Sequence, residues 1–330
     1  MKTIALLPVR NEAWVLRHSL ACLSAFCDVV LVNDQASDDD SRDICRQFSN
    51  VILMESRVPK ICEEARWELW EAARDYDGHN LIWCTDADEL VSPALVRAFR
   101  ERERNRLVGG AIVECRYYHV WDGPGHYRDS VWPYIPYWKP IAIVDDRRTD
   151  YSRSRSLPLH EERVPIDAAA ARVHADQLPV LHLQWLLPRR NQVRQAWYRC
   201  REWLHGERPL REINLQYSFT LPNHRVATRP VPPGWVTDVT FPDVSIDAVA
   251  SWQERDILGW FVERGPEFFE PLEIWHIPVF RDAFVAAIGR LPRCDQSHYP
   301  SLYARAHAAA GQIARRVVGA ARRRLVAANR

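Results

Sequence analysis

Over the first hundred residues, short apolar runs alternate with segments whose apolar positions recur at helical spacing. Residues 4–9 form one such run, closing on Pro8-Val9-Arg10-Asn11, and 13–24 carry Val15, Leu16, Leu20 and Leu23 in helical phase. A second strand is predicted over 28–32, ending at Asn33-Asp34; Ser37 stands where it would cap a helix over 38–48 with an acidic first turn. Residues 51–54 read as a third strand and 61–76 as a helix with Ala65, Leu69, Ala72 and Ala73 in phase. A fourth strand over 80–84 runs into Thr85-Asp86-Ala87-Asp88-Glu89, and Pro93 opens a helix through 104. Continuous apolar strands between amphipathic helices predict an α/β fold with a buried, mostly parallel sheet. Ligands of such sheets collect at the carboxyl ends of the strands. That rule makes neighbours of Arg10-Asn11-Glu12, Asn33-Asp34 and Asp86-Ala87-Asp88.

Beyond Gly109 the pattern changes. Residues 111–120 alternate as a sheet strand does, and 121–150 are rich in Trp, Tyr, Pro and Gly, the composition of a binding loop. A strand-like piece at 180–183 precedes a helix over 189–205. A Pro-rich stretch, 229–234, marks a boundary, so the division expected is 1–227, with the acceptor side at about 110–227, followed by a helical extension over 228–330. Helices are predicted beyond it, including 251–263, and the tail from 304 is rich in Ala and Arg.

The chain has 330 residues, and Lys+Arg 44 against Asp+Glu 43 leaves a net charge of +1. No global field recruits nucleic acid, so preferences for charged partners must come from local clusters. The eight cysteines are scattered without a CxxC pair, which argues against a zinc site or a disulfide framework. The N-terminal apolar run is short and broken by Pro8, unlike a signal peptide, and no run of about 20 apolar residues exists to span a membrane. A cytoplasmic setting is expected.

Asp86 and Asp88 stand two residues apart at a strand end, so in extended chain their carboxylates share a side. Unpaired, they would repel, and each is costly to desolvate unless a cation joins them. Hard oxygen ligands beside a phosphate suit Mn2+ or Mg2+. The competing assignment is an acidic cap on the following helix. Asp34 is placed to accept hydrogen bonds from a base or ribose, and Glu12 from sugar hydroxyls; alternatively the two are a turn acid and a helix N-terminal acid.

Pro8-Val9-Arg10-Asn11-Glu12, Val32-Asn33-Asp34-Gln35-Ala36-Ser37-Asp38 and Trp83-Cys84-Thr85-Asp86-Ala87-Asp88-Glu89 together resemble the three successive signatures of glycosyltransferase family 2. The likeness covers about the first 120 residues. It implies a GT-A fold, a nucleotide-binding αβα sandwich, and a metal-dependent, inverting glycosyltransferase using a nucleotide-sugar donor. By resemblance Asp34 would bind the nucleobase, and Pro8, Arg10 and Glu12 would line the nucleotide pocket. Asp86 would touch the ribose or a metal-bound water, Asp88 would be the principal metal ligand, and Arg66 would face the donor. The family's Asp-Asp pair after the second strand is Asn33-Asp34 here, followed by Gln35 in place of Gly. A late His often completes the metal site, and His182 is the candidate, with His160 as its alternative.

The implied displacement needs a carboxylate base at the acceptor hydroxyl. Asp122, then Asp129 and Glu161, are the candidates. Trp121, Trp132, Tyr134, Tyr137 and Trp138 are candidates to stack on a glycan acceptor or to pack internally. Arg189, Arg190, Arg194, Arg199 and Arg201 form either a solvated basic face or an anion-binding one. The tail arginines, Arg315, Arg316, Arg322, Arg323 and Arg324, suit peripheral contact with an anionic membrane and a lipid-linked acceptor. Two other classes compete: a non-catalytic nucleotide- or glycan-binding protein, and another metal-dependent phosphate enzyme such as a nucleotidyltransferase. A P-loop is absent.

Overall fold

Strand β1 (Thr3–Val9) lies between β2 (Val29–Asp34) and β4 (Leu81–Cys84), and both pair with it in parallel. Its alternating side chains serve two faces. Ile4 and Leu6 join Leu31, Ile82 and Cys84 against Leu69, Trp70 and Ala73 of α3 (Glu64–Ala73). On the opposite face Trp83 meets Phe26 of α1 (Ala13–Phe26) edge-on, with ring centroids 5.3 Å apart. Helix α4 (Pro93–Glu103) packs beside α1. Right-handed crossovers between parallel strands require this two-sided cover. The computed structural model describes residues 1–57, 64–129, 138–148, 163–164, 170–217, 226–248 and 250–293.

The remaining strands are β3 (Val51–Glu55), β5 (Glu89–Leu90), β6 (Ile112–His119), β8 (Trp138–Val144) and β9 (Arg172–His182), giving the order β3-β2-β1-β4-β8-β6-β9-β5. The β3-β2-β1-β4 half is parallel throughout. In the other half β8 runs antiparallel to β4 and β6, β6 and β9 are parallel, and β5 is antiparallel to β9. The fold is thus the α/β architecture with a mostly parallel sheet expected from the sequence, its parallel half carrying the three motifs.

Two expectations are corrected. Helix α2 covers only Ser41–Cys45, and Ser37 does not cap it: the Ser37 hydroxyl accepts instead from the Asn11 amide at 2.9 Å. The strand foreseen over 180–183 starts much earlier, at Arg172.

The chain forms two compact units interleaved along the sequence, one from 1–120, 136–184 and 230–243, the other from 121–135, 185–229 and 244–330. Residues 185–229, grouped with the sheet by the sequence, belong to the second unit, so a single cut at 228 does not separate the two. The second unit contains β7 (His126–Arg128) paired with β10 (Thr228–Pro230), and helices α5 (Pro188–His205), α6 (Leu210–Gln216), α7 (Trp252–Arg264) and α8 (Pro278–Ile288). Its core is aromatic: Phe261 contacts Phe269, Trp275 and Phe280, and Trp275 meets Phe284. No helix among the described residues is long and apolar enough to cross a membrane.

Candidate active site

The first two strand ends are sewn together by short bonds between their loops. Gln35 N donates to Val9 O, Arg10 Nη1 to Gln35 O, Asp38 N to Asn11 Oδ1 and Glu12 N to Ser41 Oγ, at 2.8 to 3.0 Å. Asn11 takes φ +54°, a conformation Asn tolerates because its amide can bond locally. Pro8 lies opposite Asn33 in the register, and Glu12 accepts from Trp14 Nε1 at 2.6 Å.

Asp34 is buried. Its Oδ2 accepts from Arg42 Nε at 2.6 Å and from Ser37 N at 3.1 Å, while its Oδ1 has no hydrogen-bond partner among the described residues. Asn33 points the other way. Its Nδ2 donates to Ala65 O at 3.0 Å and to Glu68 Oε2 at 2.6 Å, so a neutral amide is what this position needs. Burial pushes the Glu68 carboxyl up, but hydrogen bonds from Asn33, Ser56 and Arg57 outweigh it and hold the group below its ordinary value.

The acidic motif resolves into three different roles. Asp86, expected to be a metal and ribose ligand, has both carboxylate oxygens engaged: Oδ1 by Arg66 and Oδ2 by Arg163. Burial favours its neutral form, yet Arg163 and Arg66 dominate and hold the carboxyl at about 2. Each oxygen thus already accepts from one guanidinium group, and any contact of Asp86 with a ribose or a metal-bound water would be made alongside these two ion pairs. Glu89 is fully buried and accepts from Arg163, from Thr85 Oγ1 at 3.1 Å and from Asp86 N at 3.1 Å, so it props the turn. Lys139, on β8, is held down at about 8, first by burial and then by Arg163.

Asp88 reaches His182. The Leu183 amide donates to Asp88 O at 2.7 Å, and Glu89 pairs with His182 across β5 and β9. His182 Nε2 then lies 3.6 Å from Asp88 Oδ2, too far for a hydrogen bond. Adjacent ligands of an octahedral ion at ~2.1 Å stand about 3 Å apart, so the two side chains would have to close on each other by roughly half an ångström to share one cation. Among the described residues no group of three or more His, Cys, Asp or Glu could hold a metal. Asp88 and His182 therefore fit Mn2+ or Mg2+ only where substrate oxygens and water complete the shell, as Mg2+ commonly arranges. His160 and Glu161 lie outside the described residues.

In the second unit Asp122 sits in a turn at φ +50° ahead of Gly123, exposed, with no side-chain partner among the described residues. Asp129 is committed to Arg229 at 2.7 Å. Trp121 stacks on Trp185, with Arg128 over both rings, so this ring is used internally. Trp138, in the first unit, stacks on His174 under Arg116; Trp132, Tyr134 and Tyr137 lie outside the described residues. The α5 arginines do not make an open basic face: Arg189 pairs with Glu254, Arg201 with Glu207, and Arg194 and Arg199 are buried. The tail from 304 lies outside the described residues.

Sequence reasoning missed Arg163, Lys139 and His119. Arg163 stands in no periodic segment. Lys139 lies inside an apolar run, and His119 was discoverable only from its alternation with Tyr117 along β6.

No family model matches the chain, and no curated protein matches it. Solved structures do resemble it. S. aureus TarS 1–349 aligns with a TM-score of 0.36 at 11% identity over 87% of this chain and 89% of that one. Glucosyl-3-phosphoglycerate synthase from Mycobacterium tuberculosis, in complex with Mn2+, uridine diphosphate and glucosyl-3-phosphoglycerate, aligns with a TM-score of 0.27 at 18% identity, covering 35% of this chain and 44% of that one. A Methanothermobacter nucleotidyl transferase aligns with a TM-score of 0.27 at 16% identity, over 34% of this chain and 62% of that one. The chain thus spans less than half the length of the mycobacterial synthase it resembles.

Proposed function

We propose that the chain is a glycosyltransferase that takes a sugar from a nucleoside-diphosphate sugar and passes it, with inversion, to a hydroxyl of a glycan or lipid-linked acceptor. One observation carries the reading. Around the carboxyl ends of a parallel sheet stand an uncommitted buried carboxylate oxygen on Asp34, two guanidinium groups on Asp86, and the unbonded Asp88–His182 gap.

Asp34 Oδ1 suits an N–H donor on a nucleobase, because a buried acceptor without a partner costs about 1–3 kcal/mol until one arrives. By the resemblance of their motif, Pro8, Arg10 and Glu12 would line the nucleotide pocket. Arg66, Arg163 and Lys139 bring positive charge to the diphosphate, oriented beforehand by Asp86 and Glu89, so little reorganisation is needed as charge develops on the leaving group. Asp88 and His182 would hold the divalent cation, which when bound neutralises the diphosphate electrostatically. Asp122 is the candidate base: its carboxylate is free to take the acceptor's proton, whereas Asp129 is paired with Arg229.

The test is a thermal-shift panel of nucleoside diphosphates and sugar nucleotides with Mn2+, run on the wild-type chain and on Asp88→Asn. One nucleoside diphosphate raises Tm in the wild type, and the metal-dependent part of that rise is lost in the variant. An unchanged shift in Asp88→Asn removes the cation assignment, and no shift with any sugar nucleotide removes the donor.

A further inference from the structure

His182 does not stand alone at the end of β9. Strands β6 and β9 run in parallel with His119 directly opposite His182, and their rings lie 5.0 Å apart at 54°. Their Nδ1 atoms are 2.9 Å from each other, a hydrogen-bond distance. On its other side β9 pairs with β5, which turns Nε2 of the same ring toward Asp88. One imidazole is thus gripped at Nδ1 and presented at Nε2.

Two nitrogens at that distance share one proton, so one ring donates and the other accepts. If His119 were the donor, His182 Nδ1 would be the acceptor, the His182 proton would sit on Nε2, and it would face Asp88 with no lone pair for a cation. If His182 donates from Nδ1, the lone pair of Nε2 looks into the gap beside Asp88. The Asp88 carboxylate and the Nε2 lone pair then face each other 3.6 Å apart, two donors that one cation could join.

We infer that His119 is a positioning residue for a divalent cation: it accepts the Nδ1 proton of His182, fixes that tautomer, and so aims the Nε2 lone pair at the ion held with Asp88. The inference rests on the cation reading above and adds to it a residue that touches neither cation nor sugar. Partners of this kind, which hold a ligating imidazole from behind, typically change metal affinity 10- to 100-fold when removed.

The experiment titrates Mn2+ by calorimetry into the full chain saturated with the nucleoside diphosphate that raises Tm in the panel above, and repeats the titration with His119→Phe, His119→Asn, His182→Ala and the His119→Phe/His182→Ala double variant. Phe keeps the ring volume and loses the acceptor; Asn keeps an oxygen acceptor near the position of Nδ1. The expected result is a 10- to 100-fold weaker Mn2+ affinity in His119→Phe, substantial recovery in His119→Asn, and no further loss when His119→Phe is added to His182→Ala. Tm measured with chelator should move equally little in His119→Phe and His119→Asn, which separates positioning from packing.

Wild-type affinity in a folded His119→Phe overturns the proposal, as does an equal loss in Phe and Asn. Should His119→Phe not fold, the ring 15N shifts of His182 in the wild type decide: a proton on Nε2 with Mg2+ present refutes the assignment. Failure of the underlying reading looks different. In that case the wild type itself takes up no Mn2+, and Asp88→Asn alters nothing.

Discussion

The two halves of the sheet hold their strand ends in different ways. In the parallel half, loops after β1 and β2 are locked by bonds that involve backbone amides and carbonyls: Asn11, Ser37, Asp38 and Ser41 knit them side by side. In the mixed half, side-chain charges do the work, with Arg163 bridging Asp86 and Glu89 and His119 meeting His182. Apart from the Arg42–Asp34 pair, those backbone bonds are insensitive to pH and salt, whereas ion pairs and imidazoles respond to both. The contrast separates a platform of fixed backbone bonds from a part that responds to pH and salt.

Three substitutions can break or sharpen that contrast. The largest effect is expected in the parallel half from Asn33→Asp, which sets a carboxylate against Glu68 and the Ala65 carbonyl in place of two donated bonds. A loss of about 3 kcal/mol at pH 7 is expected from urea unfolding, shrinking near pH 4 as the new group protonates and can donate. A loss under about 1 kcal/mol would mean the amide is not what the position demands.

Next comes Asp86→Asn, at the seam between Arg66 and Arg163. The folded carboxyl titrates at about 2, below its unfolded value of ~4, so its contribution is complete above pH 4 and disappears as pH falls through 2. Because the side chain is 33% exposed, solvent screening reduces the effect to about 2 kcal/mol at pH 7. Unfolding curves of the two proteins should converge between pH 4 and pH 2; a gap independent of pH would show that packing, and not charge, is lost.

The smallest effect should come from Ala36→Gly. Ala36 is exposed and held at φ +58°, where a Cβ is disfavoured by about 1 kcal/mol. Glycine there should raise stability by about 0.5 kcal/mol once its greater unfolded-state freedom is counted, without altering nucleoside diphosphate binding. A lower Tm in the variant would mean that the loop does not need that conformation.

Much of the parallel half was readable beforehand. Its strands are apolar on both faces and its helices keep a 3.6-residue period, signals that depend only on neighbours along the chain. The short α2 was misjudged because Ser37, an apt cap in isolation, is taken by the Asn11 amide from another loop. The mixed half was largely illegible. Strand β8 follows an irregular aromatic stretch, β5 has two residues, and β9 opens with a polar run, Arg172 to Gln177, interrupted by Val173 and Ala175.

The sequence alone determined the order of elements in the parallel half, the polar strand ends, and Asp34, Asp86 and Asp88 as groups of interest, since each follows from local pattern. Tertiary structure alone decided which carboxylate is paired with arginine and which faces a histidine. Arg163 lies 77 residues from Asp86, and His119 lies 63 residues from His182. Contacts over such separations arise from strand register and sheet order, which hydrophobic periodicity does not encode, so the division of labour among the three acids became visible only once the sheet was assembled.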